Sequence, residues 1–208
     1  SVKSKNADLV GKMFSAKMIE LALANYPGFF IGGAVRSGGP VLVYWPALID
    51  SKHISETVHF DGKETTILPT NQLGLEETYY QKQPIDIQPA PSDPSIKMPL
   101  GELFGARSGD KGGCANIGVW AKTENAYSFL NECLTVKKIK ELMPDLAEFQ
   151  IDRYELPNIL SLNFYIHGIL EDGVSSNTRK DGQAKSLGEY LRAKYIEIPK
   201  SLIKEKEA

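Results

Sequence analysis

Five prolines, Pro84, Pro89, Pro91, Pro94 and Pro99, fall within sixteen residues, and they limit the fold more than any other feature. Proline has no backbone N–H and clashes with the preceding helical turn, so this stretch runs neither as a helix nor as a central strand. With Gln, Asp and Ser filling the gaps, residues 69–99 read as an extended linker. The expectation is therefore three parts: residues 1–68, the linker, and residues 100–208. The chain has 208 residues, 42% hydrophobic and 24% charged, so its flanks have the composition of ordinary globular protein.

Before the linker, residues 6–25 predict a helix that stops ahead of Pro27-Gly28. Val10, Phe14, Met18 and Leu21 lie along one stripe. That stripe must pack on something, and little precedes it. "VLVYWPALI" (41–49) predicts a strand interrupted at Pro46. "HISETVHFDGKETTIL" (53–68) predicts a hairpin turning at Asp61-Gly62 between two alternating β-prone runs. Together these form a small α+β segment.

After the linker, "LGELFGAR" predicts a short strand entering a glycine-rich loop, and "ANIGVWAK" a strand leaving it. In the second, Ile117, Val119 and Ala121 face one way and Asn116, Gly118, Trp120 and Lys122 the other. Two helices follow, with Thr123 and Thr135 as N-caps and Met143 ending the second before Pro144. "EFQIDRYEL" and "LSLNFYIHG" are further strands, the latter with Leu160, Leu162, Phe164 and Ile166 on one face. "AKSLGEYLRAKYI" predicts a last helix, and residues 200–206 an exposed charged tail. The order β-β-α-α-β-β-α gives an α+β fold: a four-stranded antiparallel sheet of ferredoxin-like type with helices on one face.

The chemistry concentrates in "GARSGDKGGCANIGVW" (105–120), where Gly105, Gly109, Gly112 and Gly113 surround Arg107, Asp110 and Lys111. Glycines in unusual conformations free backbone N–H groups, and a concavity formed by Ser108, Gly109, Gly112 and Gly113 would suit an anion. Arg107 and Lys111 add positive charge, Arg107 with the geometry to grip a carboxylate. Asp110 and His167 are the acid/base candidates, and Asn116 and Asn163 would line the same site. Against this stands an exposed hairpin tip with solvated charges. Cys114 reads as an inert small residue, because a thiol nucleophile needs an adjacent base. Asn177, Arg179 and Lys185 read as plain loop, and Arg36 in the glycine-rich stretch 32–39 as a weak second anion contact.

Several classes are excluded as expectations. A net charge of −2 gives no electrostatic reason for a nucleic-acid or membrane partner. No apolar run is long enough to span a bilayer, and Ser1-Val2-Lys3-Ser4-Lys5-Asn6 does not read as a signal peptide. Cys114 and Cys133 suggest reduced thiols in a cytoplasmic protein. His53, His59 and His167 lack metal-ligand spacing, and neither GxxxxGK[ST] nor GxGxxG occurs, so no metal or cofactor is expected.

"ARSGDKGGCANIGVWA", "LTVKKIKELMP", "RYELPNILSLNFYIHGIL" and "GVSSNTRKDGQAKSLGEYLRAKYIEIP" resemble the C-terminal domain of the acyclic terpene utilisation family, AtuA. "LALANYPGFF" and "VYWPALI" are similar to the end of that family's larger N-terminal domain. The resemblance implies a ferredoxin-like fold for residues 100–199. It also implies a longer protein, in which this chain is a C-terminal part or small subunit partnered by the AtuA N-terminal domain or large subunit. The family is named for the bacterial breakdown of acyclic terpenes through branched acyl-CoA thioesters. One expectation is therefore a lyase or hydratase acting on a carboxylate or acyl-CoA. The other is a non-catalytic assembly module of a homo-oligomer. The resemblance carries over no catalytic residue, and Gly113-Cys114 stands where an acidic residue often follows the glycine pair.

Overall fold

The computed structural model describes residues 2–24, 27–30, 33, 37–43, 45–67 and 87–207. Arg36 and residues 69–86 of the expected linker lie outside them. The chain divides into two compact units, Ser1–Tyr44 with Ile87–Ala208, and Trp45–Asp86.

In the larger unit, the Asn6 side chain accepts from the Asp8 N–H at 3.0 Å and caps α1 (Ala7–Val10). The chain breaks at Gly11 and resumes as α2 (Lys12–Leu23), so the expected single helix is two. Val10, Phe14 and Met18 are half-buried, Leu21 is exposed, and neither helix contains a buried residue.

The smaller unit contains the predicted hairpin. β1 (Glu56–Phe60) pairs antiparallel with β2 (Lys63–Ile67). Asp61 and Gly62 have φ of 48° and 71°, the left-handed pair that lets a two-residue turn follow the strands' own twist. The strand predicted over 41–49 does not form at the described positions 41–43 and 45–49. Pro40 and Pro46 bracket the run and leave too few donors for a ladder.

Downstream lie β3 (Ser95–Pro99), β4 (Gly105–Lys111), β5 (Cys114–Trp120), α3 (Glu124–Cys133) and α4 (Val136–Leu142). β6 (Ile151–Leu156), β7 (Ser161–Ile166), α5 (Leu187–Arg192), β8 (Tyr195–Pro199) and α6 (Lys200–Glu207) complete the chain. Two antiparallel hairpins, β4–β5 and β6–β7, join along β5 and β7 into one sheet of order β4-β5-β7-β6. With α3 and α4 between the hairpins and α5 after β7, this is a ferredoxin-like antiparallel sheet. Ala106 lies opposite Val119, Ile117 opposite Phe164, and Ile166 opposite both Ala115 and Ile151. All of these are buried beneath the helices. Thr123 and Thr135 cap α3 and α4 as expected, accepting from Ala126 and Lys138 N–H groups. Arg153 Nε donates to the Leu134 carbonyl at 3.2 Å, satisfying the far end of α3.

Four segments depart from expectation. In "LGELFGAR", read as a strand, Leu100–Glu102 forms a 3-10 turn closed by the Leu103 N–H donating to the Leu100 carbonyl, and the strand begins only at Gly105. Ser95–Pro99, read as the end of the linker, is strand β3 and pairs with β8. Pro99 and Pro199 sit at strand ends, where a missing donor does least harm. The last helix stops at Arg192, because Ile196 and Ile198 alternate with Tyr195 and Glu197 at the strand period. The tail is helix α6, anchored by the buried Leu202 and by Asp93, which accepts from the Ser201 N–H at 2.9 Å and from its hydroxyl.

Candidate functional site

The glycine-rich segment is not a loop. Gly105–Lys111 is paired residue for residue with Cys114–Trp120, and only Gly112 and Gly113 turn. That pairing makes it a strand, with Ala106, Ser108 and Asp110 on one side of the pleat and Arg107, Gly109 and Lys111 on the other. Burial does not alternate along it, since Gly109 is buried as well. The two tip glycines have separate reasons. Gly112 has φ +63°, a conformation L side chains resist. A Cβ at Gly113 would lie 2.2 Å from the Glu171 carbonyl oxygen, while the Leu170 N–H donates to the Gly113 carbonyl at 2.9 Å.

The pleat then sorts the candidate residues onto two faces. Ser108 and Asp110 point to the helix side: Ser108 Oγ accepts from the Gly188 N–H at 2.8 Å, and Asp110 faces Lys185 Nζ at 3.8 Å. Arg107, Gly109, Lys111, Asn116 and Asn163 belong to the opposite, open face, and His167 continues that set beyond β7. Asp110 and His167 are thus on opposite sides of the sheet. Arg107 is exposed, and its side chain has no ion pair or hydrogen bond among the described residues. Lys111 Nζ donates to the Asp110 carbonyl at 3.0 Å.

On the open face, Asn116 Nδ2 donates to Asn163 Oδ1 at 2.9 Å. His167 Nε2 meets Asp152 Oδ2 at 2.7 Å, and that hydrogen bond holds the Asp152 carboxyl below its ordinary value despite partial desolvation. The Tyr165 ring meets the His167 ring edge-on, centroids 4.9 Å apart. A hydrogen bond with Cys114 and then burial push the Tyr165 phenol upward. Cys114 Sγ also accepts from the Gly168 N–H at 3.4 Å. The face therefore presents an oriented imidazole–carboxylate pair beside an amide pair, a set able to hold a proton and to hydrogen-bond a carboxylate or carbonyl. Among the described residues no group of three or more His, Cys, Asp or Glu is placed to hold a metal ion. None of their helices is long and apolar enough to cross a membrane.

Residues 98–197 match the AtuA ferredoxin-like domain family. This part of the chain is an AtuA ferredoxin-like domain. No curated protein and no solved structure matches the chain. The AtuA domain begins inside β3 and ends inside β8, so it takes in the open face whole.

Sequence reasoning set Tyr165 on the face of Asn163 and His167 without giving it a role, and it missed Asp152. Alternation in "QIDRYEL" and "LNFYIH" places both on the side of His167. The strand pairing Asp152 with Tyr165 was the missing link.

Proposed function

We propose that the chain is the C-terminal part or small subunit of an AtuA-like catabolic protein, in which the AtuA domain is an assembly module. Its open face would dock against a second copy. One observation carries this reading. No position on that face of the four strands is buried except Gly109, yet its β6 side presents Tyr154, Leu156 and, at the following turn, Ile159. These are 51%, 38% and 60% exposed. Burying each such side chain contributes about 1.5–3 kcal/mol, and aromatic residues are favoured at interface cores. Sedimentation velocity tests the reading: the chain should self-associate, and Leu156→Asp should leave it monomeric. A chain that stays monomeric at about 100 μM, a weak-dimer concentration, removes the support.

A second reading rests on Arg107, Asn116, Asn163 and His167 sharing one face. A carboxylate or acyl-CoA held there would meet His167, oriented by Asp152, as the acid/base group of a lyase or hydratase, with Asp110 excluded by the sheet. Calorimetric titration with a branched acyl-CoA thioester should then show binding that Arg107→Ala with His167→Ala abolishes. No binding to the parent chain sinks this reading and leaves the first untouched.

A further inference from the structure

At the end of the sheet far from the Gly112-Gly113 turn lies a pocket of about 430 Å³, a volume suited to a small ligand. Phe104 and Leu202, both buried, and the indole of Trp120 supply its apolar wall. That indole lies against the backbone of Gly105: a Cβ there would sit 2.2–2.6 Å from three of its ring atoms. Only glycine at position 105 lets Trp120 settle there and present its remaining surface to the pocket.

The polar part of the lining is uneven. Lys122, Arg192 and Lys206 face Glu102 and Glu205. Lys206 is matched by Glu102 at 3.5 Å, whereas neither Lys122 nor Glu205 has an ion-pair partner among the described residues. Arg192 Nη1 is held by Glu189 at 2.9 Å, while its Nε is enclosed and has no hydrogen-bond partner. A buried N–H without an acceptor is costly, so the guanidinium gains by turning toward one. Thr123 and Ala126, in the first turn of α3, complete the wall, and the positive end of that helix adds to the field.

We propose that this pocket binds a small carboxylate with a flat apolar body, its ring packed on Trp120 and its carboxylate taken by Arg192 beside Lys122. Arg192 carries a planar fork that matches two carboxylate oxygens, and turning the guanidinium toward the ligand would give its enclosed Nε the acceptor it lacks. The site shares no residue with the Tyr154–Leu156–Ile159 patch or with Arg107, Asn116, Asn163 and His167. Trp120 shares the open face, however, and lies in one cross-strand row with Ser161 and Leu156. The titration is therefore run on the monomeric Leu156→Asp chain as well, where binding that persists is separate from both readings above.

Naphthalene-2-carboxylate titrated into the full chain, with naphthalene-2-carboxamide as the neutral control, tests the proposal. Calorimetry gives the affinities, and the indole N–H resonances of Trp120 and Trp45 give the location. The Trp120 resonance should move, the Trp45 resonance should stay, and the acid should bind about tenfold more tightly than the amide. Arg192→Lys keeps the charge and removes the fork, so it should weaken the acid about tenfold and leave the amide unchanged. Should that variant fail to fold, Lys122→Gln, at an exposed position, reads the charge contribution through a severalfold loss for the acid alone. A Trp120 resonance unmoved at millimolar acid overturns the proposal. So does equal affinity for acid and amide.

Discussion

Gly113 stands where two stretches of chain meet, and its missing side chain is what lets them. With the Glu171 oxygen 2.2 Å from the position a Cβ would take, Gly113→Ala must push a backbone carbonyl aside. We expect a loss of about 1–3 kcal/mol, the usual cost of overpacking, measured by urea denaturation. Gly112→Ala meets open space and pays only for its positive φ, about 1–2 kcal/mol. A neutral Gly113→Ala would contradict the packing described. Burial pushes the Cys133 thiol up to about 12. The thiolate is the reactive form, so Ellman's reagent at pH 8 should leave Cys133 unmodified until denaturant is added. Prompt modification of native Cys133, identified by peptide mapping, would contradict that burial. At this scale the glycines were conspicuous in the sequence, but their purpose was not. Glu171 approaches Gly113 from fifty-eight positions along the chain, a distance no local pattern encodes.

Elements were legible where their signals are local. Thr123 and Thr135 announce their helices through side chains that cap N–H groups three residues on. Asp61-Gly62 announces its hairpin in the same way. β3, β8 and α6 were not legible, because they exist only through one another. Ser95 pairs with Pro199, and Asp93 caps a helix that begins beyond position 199. That cap makes a pH prediction. Hydrogen bonds from the Ser201 hydroxyl and N–H lower the Asp93 carboxyl below its ordinary 3.8. A carboxylate lowered by folding stabilises the folded state above its unfolded value, and that contribution is lost as pH falls through the lower, folded value. In an acid titration followed by carboxyl ¹³C shifts, Asp93 should titrate below 3.8, and the first-turn amides of α6 should lose exchange protection with it. Asp93→Ala should show the same loss of protection at neutral pH. A midpoint at or above the ordinary value would remove the cap from the account.

For the molecule as a whole, the sheet separates two jobs by its pleat. Every second residue of β5 and β7 enters the core, and the intervening residues form the open face. This period of two was plain in the sequence, so the core face of both strands was readable, as was the membership of Asn116, Asn163 and His167 in the other face. The glycine run hid the same period in β4, and Asp110 was therefore grouped with residues that the sheet sets behind it. If stability resides on one face and association on the other, substitutions on the two faces should give opposite outcomes. Phe164 is fully buried opposite Ile117, and Phe164→Ala should cost about 3–5 kcal/mol, a large share of the 5–15 kcal/mol typical of a domain. Leu156→Asp lies on the exposed side, so it should change unfolding of the monomer by about 0.5 kcal/mol or less while changing the sedimentation coefficient of the assembly. Paired urea denaturation and sedimentation on the two variants check this. A Leu156→Asp chain that unfolds as readily as Phe164→Ala would show that the open face belongs to the core after all, and that the division of labour across the sheet does not hold.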